Sequence, residues 1–271
     1  MRPNVLAIGG SDSSGGAGIQ ADLRAIEANG GYAATVVTAV TAQNTLEVTG
    51  WQAVSPEWVR AQIEAVYADL PIAALKSGML ATAEIIGTVA EIIRQRRPKT
   101  YVCDPLMLSG TGRPLLESNA LEVLRRDLLP LATVVTPNVA ELETLCGAAV
   151  RDPGEAVEAA HTLVEAGVRA VVVTGGHLES DRATDLLITA DECREYSGEW
   201  LDSGHDHGSG CVFAAALATQ LALGRPLDDA VGLAKRFTGE AIRHGHRIGR
   251  GNGPTDPLWS LPRSEAPTVG R

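Results

Sequence analysis

The 271-residue sequence predicts a three-layer α/β/α fold with a mainly parallel central sheet and antiparallel strands near the C-terminal part. Three observations carry this expectation. Short apolar runs of the kind that form buried strands recur along the chain. Capped helical stretches lie between them, which is the rhythm of βαβ units. Past His177 the alternation stops: Thr184–Thr189 and Cys193–Ser197 read as two antiparallel strands, with Glu199-Trp200-Leu201 as a third.

The first strand is Val5-Leu6-Ala7-Ile8, followed by the glycine- and serine-rich loop Gly9–Gly18. A helix from about Ala17 to Asn29 ends at Gly30-Gly31, the usual glycine stop. Thr35–Val40 is the second strand. It runs into the polar cluster Thr41-Ala42-Gln43-Asn44-Thr45, placed where a parallel sheet presents its ligands; a solvated turn is the plainer reading. Ser55 with Pro56 at the first helical position starts a helix to about Asp69. Ile72–Lys76 is a strand, Thr82 caps a helix to roughly Arg97, and Tyr101–Asp104 is a strand closed by Pro105. The loop Ser109-Gly110-Thr111-Gly112 precedes a helix capped by Ser118, and Thr133–Thr136 is a further strand. A helix over Glu155–Glu165 leads to the strand Ala170–Thr174 and the turn Gly175-Gly176. Two helices, about Ser209–Leu223 and Leu227–His244, end the core, and the Gly/Pro-rich tail from Gly249 is expected to be partly ordered. No break divides the chain, so one domain over 1–271 is expected.

Composition narrows the function classes. Lys plus Arg number 23 against 33 Asp plus Glu, a net charge of −10, so nucleic acid is not an expected partner. No apolar run is long enough to span a bilayer, and the start lacks the design of a cleavable signal. Cys103, Cys146, Cys193 and Cys211 are far apart with no C-x-x-C pair, which fits neither a disulfide framework nor a zinc cage. A cytoplasmic protein is the expectation.

The chemistry centres on His207-Gly208-Ser209-Gly210-Cys211, which runs directly into the apolar stretch Val212–Ala218. Two glycines bracket a serine at the mouth of a helix, so backbone N–H groups can converge on an anion with the helix dipole behind them. In the first turn Cys211 is expected to have a lowered pKa and thiolate character. A base beside an anion hole points to phosphoryl transfer. The plainer alternative is a loop end with Cys211 as a small core residue, and local sequence leaves both open. Gly16-Ala17-Gly18-Ile19-Gln20-Ala21 has the form of a dinucleotide fingerprint, but it does not follow its strand immediately and no acidic residue ends the next strand. Asn138 and Glu141 have capping-box spacing. Asp104 and Glu141, each just beyond a strand, are also placed to share a crevice and hold Mg²⁺ through water. The pairs His205/His207 and His244/His246 lack acidic or cysteine companions at ligand spacing, which favours loop roles over a metal site.

The segments SDSSGGAGIQADL, VTAVTAQNT, KSGML, CDPLM, LLPLATVVTPNVAELETLCG, TGGHLE with DLLIT, and HGSGC together resemble the hydroxymethylpyrimidine/phosphomethylpyrimidine kinases of the ribokinase superfamily, in the family's order from roughly Asn4 to Pro254. The resemblance implies a ribokinase-like fold and a pyrimidine held by Gly10, Asp22, Gln43 and Met79. It implies Asp104, Asn138 and Glu141 in the Mg-ATP region, with Thr174, Gly176 and Lys235 near the nucleotide. Gly208, Ser209 and Gly210 match the anion hole, and Cys211 stands where most ribokinase relatives carry an aspartate base. A side-chain amide such as that of Gln43 suits an aminopyrimidine edge, donating to a ring nitrogen while accepting from the exocyclic amine. Three departures accompany the match: Ser13 in place of a usual proline, Thr174 in place of a frequent lysine, and His205-Asp206 in place of a common Asn-Thr pair. With few cations, Lys76, Arg113 and Lys235 are the candidates to meet phosphate.

The expected activity is ATP-dependent phosphorylation of 4-amino-5-hydroxymethyl-2-methylpyrimidine and then of its monophosphate, towards thiamine. Expected partners are the small-molecule pyrimidine, ATP and Mg²⁺, with no nucleic acid and no membrane, and a homodimer is left open. Pyridoxal kinase activity is the alternative within the enzyme class; a dinucleotide-binding module and a thiol redox sensor at Cys211 are the alternatives outside it.

Overall fold

The computed structural model describes residues 2–175 and 182–262. Its strands are β1 (Asn4–Ser11), β2 (Tyr32–Gln43), β3 (Val48–Ala53), β4 (Ile72–Ser77), β5 (Tyr101–Cys103), β6 (Val134–Val135), β7 (Val171–Val173), β8 (Arg182–Ile188) and β9 (Cys193–Glu199). They form one sheet in the order β3-β2-β1-β4-β5-β6-β7-β8-β9. β1, β2 and β4 to β7 are parallel, whereas β3, β8 and β9 pair antiparallel at the two edges. The helices are α1 (Gly18–Ala28), α2 (Pro56–Asp69), α3 (Ala83–Arg96), α4 (Ala120–Val123), α5 (Val139–Cys146), α6 (Pro153–Glu165), α7 (Ser209–Ala222) and α8 (Leu227–Arg243). The expected three-layer α/β/α architecture is the one observed.

Because successive strand residues face opposite sides, the central strands feed two cores. Leu6, Ile8, Leu75, Tyr101, Val135 and Val171 pack with α2, α3, α5 and α6. Val5, Ala7, Ala74, Val102, Val134 and Val172 pack with α1, α7 and α8 on the other face. α7 is apolar all round and buried from Cys211 to Thr219, as a helix without a polar face must be. Its first two residues, half-buried Ser209 and exposed Gly210, lie at the surface, and Cys211 is the first to be buried.

Local signals place most elements. Ser55 accepts from the Trp58 amide, Thr82 from Ile85, and Asp152 from Glu155, each at the start of its helix. Four details differ from expectation. The polar segment 41–43 is the end of β2, and a hairpin returns it as β3, which sequence missed because Gly50 interrupts an otherwise short, polar run. Ser118 is not a cap: α4 begins after Asn119 and continues as a π turn and a short 3₁₀ turn, since Pro130 has no amide to extend a regular helix. Glu199 ends β9 instead of starting another strand, being the residue paired with Arg182 at the start of β8. The tail returns to the body: Thr255 and Asp256 are buried, and Pro254 bridges to His207. Residues from 263 onward, where the rest of that tail lies, are outside the described residues.

Candidate active site

The parallel strands deliver their carboxyl ends to one edge, where an open α/β sheet binds ligands. After β1 the chain turns around the Asp12 carboxylate, which accepts from the amides of Ser14 (2.8 Å), Gly16 (3.0 Å) and Ala17 (2.8 Å) and from the Ser14 hydroxyl. Burial raises the Asp12 pKa, but the hydrogen bonds from His207, Ser14 and Ala17 outweigh it and bring the group down to about 2. His207 Nε2 lies 3.2 Å from Asp12 Oδ2 and 3.2 Å from the Gln43 amide. The first loop, the end of β2 and the turn before α7 are thus tied by three side chains.

The turn itself needs its glycines. Gly208 has φ +83°, and a Cβ there would stand 2.1 Å from the Gly16 carbonyl oxygen. The Ser209 amide donates to Asp206 O at 3.0 Å. Gly210 and Cys211 open α7 in positions whose amides have no intrahelical acceptor, as at any helix start. Beside this turn Gly10 meets Met79 so closely that a Cβ on Gly10 would lie 2.7 Å from the sulfur. Gly10, Met79, Gln43 and the Gly208–Cys211 turn are therefore joined by contacts running through the first loop and His207.

Beneath the turn lies a buried charge cluster. Lys76, 1% exposed on β4, donates to Asp22 Oδ1 on α1 at 2.8 Å and stands 3.5 Å from Asp104 Oδ2 after β5. Burial pulls the Lys76 pKa down, but Asp22, Cys211 and Asp104 together raise it above its ordinary value. Burial pushes Asp22 up to about 6 despite the lysine. Two expectations change here. Lys76 is committed to carboxylates inside the fold instead of reaching for phosphate, and Asp22 faces Lys76 in the interior, fully buried. The thiolate expected at Cys211 is not favoured either. Burial pushes its thiol up to about 12, with Asp104 and Asp22 adding to the rise, while Lys76 and the Gly18 amide oppose it. The helix-start argument holds for an accessible thiol; this one is desolvated among acids.

On the far side Asn138 and Glu141 form a full capping box, Glu141 N to Asn138 Oδ1 at 2.9 Å and Asn138 N to Glu141 Oε2 at 3.0 Å. Glu141 is raised to about 8, first by burial and then by the nearby Asp104 charge. A pair of buried carboxyls that disfavour each other's ionisation fits a hard cation brought in with its own waters, so the donor set suits Mg²⁺. Asn138 bridges to Thr174, whose amide donates to Pro137 O at 2.8 Å. Next to Thr174 the Gly175 amide donates to Asp185 Oδ1 at 3.1 Å, and Asp185 pairs with Lys235 at 2.8 Å. Asn138, Thr174 and Lys235 are so brought to one end of the sheet. Gly176 lies outside the described residues. Arg113 is exposed in its loop.

Two residues of the site were missed by sequence reasoning. Asp12 carried a signal, an aspartate followed by serines and glycines, which is the pattern of an Asx turn. Asp185 carried none, because its partner Lys235 is fifty residues further on and its neighbours read as an ordinary strand.

A family model described as phosphomethylpyrimidine kinase matches residues 12–256. The chain is 45% identical over 257 residues to a hydroxymethylpyrimidine/phosphomethylpyrimidine kinase of Rhizobium meliloti, covering 94% of this chain and 96% of that one. It is 42% identical to the thiamine biosynthesis bifunctional protein ThiED of Geobacter sulfurreducens; 95% of this chain takes part, and it spans 52% of that longer protein. Among solved structures, the ADP complex of Bacillus subtilis pyridoxal kinase superposes with a TM-score of 0.89 at 33% identity, covering 95% of this chain and 98% of that one.

The charge cluster yields a stability test. Lys76→Met leaves two buried carboxylates unpaired, which costs about 3–5 kcal/mol at pH 8. Asp22 already titrates near 6 with the lysine present and higher without it, so at pH 5 it is protonated in the fold and the loss shrinks. Urea unfolding at both pH values measures this, and an equal loss at pH 5 and pH 8 would contradict the pairing.

Proposed function

The chain belongs to the phosphomethylpyrimidine kinase family, and from that premise we propose how its residues carry the reaction. It phosphorylates 4-amino-5-hydroxymethyl-2-methylpyrimidine and then the monophosphate, a step of thiamine biosynthesis, with ATP as the donor. The observation that carries the reading is the linkage of Gly10, Met79 and Gln43, through the first loop and His207, to the Gly208–Cys211 turn. Gln43 meets the aminopyrimidine edge, Met79 and the Gly10 backbone pack on the ring, and Asp22 acts indirectly by holding Lys76. The hydroxymethyl oxygen then approaches the γ-phosphorus in line, while Gly208, Ser209 and Gly210 supply amides and positive helix-end potential for the developing charge.

Cys211 handles the proton. As a resting thiol it serves as a relay: it takes the alcohol proton while passing its own to Asp104, whose carboxyl the thiol already helps to hold down. No free thiolate is required, and phosphoryl transfer through a loose transition state needs the proton only late. Asn138, Thr174, Gly176 and Lys235 are assigned to the nucleotide end, with Asp104 and Glu141 to Mg²⁺, which supplies charge neutralisation of the phosphates when bound. The nucleotide end includes Lys235, held in place by Asp185.

The reading takes the chain as one kinase domain in the cytoplasm, in keeping with its four unpaired cysteines. Among the described residues no helix is long and apolar enough to cross a membrane. Pyrimidine and ATP are the small-molecule partners. A homodimer is the proposed assembly, motivated by the exposed Val40 and Leu46 on the β2–β3 hairpin and open to test by light scattering. Pyridoxal remains the second substrate to compare, because the superposed Bacillus subtilis protein is a pyridoxal kinase.

Two measurements test the reading. With ATP and a Mg²⁺ titration, mass spectrometry is expected to find phosphorylated hydroxymethylpyrimidine and its diphosphate in preference to pyridoxal phosphate, and Glu141→Gln to shift the Mg²⁺ requirement upward. Pyridoxal phosphate as the dominant product, or an unmoved Mg²⁺ requirement, would count against the respective assignment. For the relay, Cys211→Ala is expected to lower kcat by about 10²–10⁴ with little change in either KM. Cys211→Ser, whose hydroxyl can relay but cannot ionise near neutral pH, is expected to stay within about tenfold of wild type; equal losses in both variants would argue for a thiolate base.

A further inference from the structure

The Asp12–His207–Gln43 chain contains a hydrogen-bonding conflict whose resolution has a functional consequence. Asp12 is ionised near neutral pH and can only accept. The His207 nitrogen 3.2 Å from it must therefore carry the hydrogen, so Nε2 is a donor. The same atom lies 3.2 Å from Gln43, where an amide nitrogen would set donor against donor. A second neighbour makes the same demand. The Thr41 hydroxyl is 3.1 Å from the Ser11 carbonyl oxygen and 3.2 Å from the other end of the Gln43 amide. It has one proton, the carbonyl can only accept, and once that bond is made Thr41 turns lone pairs to the amide. Rotating the amide by half a turn removes both conflicts: its NH₂ meets a Thr41 lone pair and its oxygen shares the single Nε2 hydrogen with Asp12, while the shape of the side chain is unchanged.

We infer that His207 is a positioning residue for substrate specificity, which fixes the Gln43 amide with its oxygen toward the imidazole and so sets the order of donor and acceptor offered to the ring. This rests on the pocket reading given above. With one lone pair and one N–H engaged, one acceptor and one donor are left in a defined sequence. An aminopyrimidine edge, which also pairs a ring nitrogen with an amine, fits one sequence in a single sense. Reversal of the amide would favour the ring turned over, with its hydroxymethyl group carried away from Cys211.

The imidazole is itself held from both sides. His207 N donates to Gly253 O at 3.2 Å and the Thr255 amide donates to His207 O at 3.2 Å, so the C-terminal segment grips its backbone. A Cβ on Gly16 would lie 2.5 Å from the His207 ring. Ring orientation and anion turn are consequently set by one segment, 207–211.

Steady-state kinetics on the intact chain, with hydroxymethylpyrimidine and ATP varied separately, tests this. His207→Leu is expected to lower kcat/KM for the pyrimidine by about tenfold, the size of one lost hydrogen bond, while KM for ATP stays within about twofold. His207→Gln, which keeps an N–H near the same place, is expected to restore most of the loss. In a Gln43→Ala background, His207→Leu is expected to add almost nothing, since there is no amide left to orient. Thr41→Val provides a route that leaves Asp12 and His207 untouched, and it too is expected to be silent without Gln43. A full further loss from His207→Leu or Thr41→Val on top of Gln43→Ala overturns the inference alone. If Gln43→Ala by itself leaves the pyrimidine kinetics unchanged, the pocket reading falls and the inference with it.

Discussion

One ammonium group underlies the site. Lys76 sits on the central strand β4, and the acids around it come from α1, from the loop after β5 and, through the Cys211 thiol, from the start of α7. Each of those elements carries one part of the proposed chemistry, and they also meet one another directly: α1 packs on α7, and the Cys211 thiol lies against Gly18 and Asp104. A buried lysine is costly to desolvate, and so are buried aspartates; together they are tolerable only in a fixed geometry. That requirement ties the helical layer of α1 and α7 to the sheet at the point where the anion turn begins. Asp22, a residue that family resemblance assigns to substrate, is held in this cluster by Lys76.

Above the cluster the site is a matter of close backbone approach. The Gly16 carbonyl and Gly208 are packed without room for a Cβ, and Gly10 is fitted against Met79. These contacts bring the first loop over the anion turn, and Asp12 locks it there by accepting from three amides and an imidazole. The nucleotide end is organised differently. There a capping box, a single bridge between Asn138 and Thr174, and the Lys235–Asp185 pair align the ends of β6 and β7 with α8. Lys235 reaches that end through Asp185, which also accepts from the Gly175 amide beside Thr174.

Sequence reached the parts of this arrangement that are local. The Asn138/Glu141 box, the Ser55-Pro56 start and the Thr82 cap depend on residues within one turn, and each is found as expected. The alternation of apolar runs and helices gave the layers and the antiparallel edge. What sequence could not carry was depth. The helix-start argument for Cys211 is sound for a surface thiol, but the fold places it among Asp22, Asp104 and Lys76, and desolvation decides its state. Likewise Lys76 looked available for phosphate because nothing in KSGML says that Asp22, fifty-four positions earlier, lies against it. β3 was invisible for a related reason: an edge strand with Gly50 inside it has no apolar run to announce it, and its identity comes from pairing with β2.

The state of Cys211 over the charged Lys76 is the point on which the mechanism turns, and ultraviolet absorbance can read it without any substrate. The thiolate absorbs near 240 nm, so subtracting a Cys211→Ala titration from that of the intact protein isolates this one group. The expected difference is flat from pH 6 to pH 10, because burial among acids holds the thiol's pKa near 12. A step with its midpoint close to neutral pH would contradict the account and return Cys211 to the role of a preformed thiolate base.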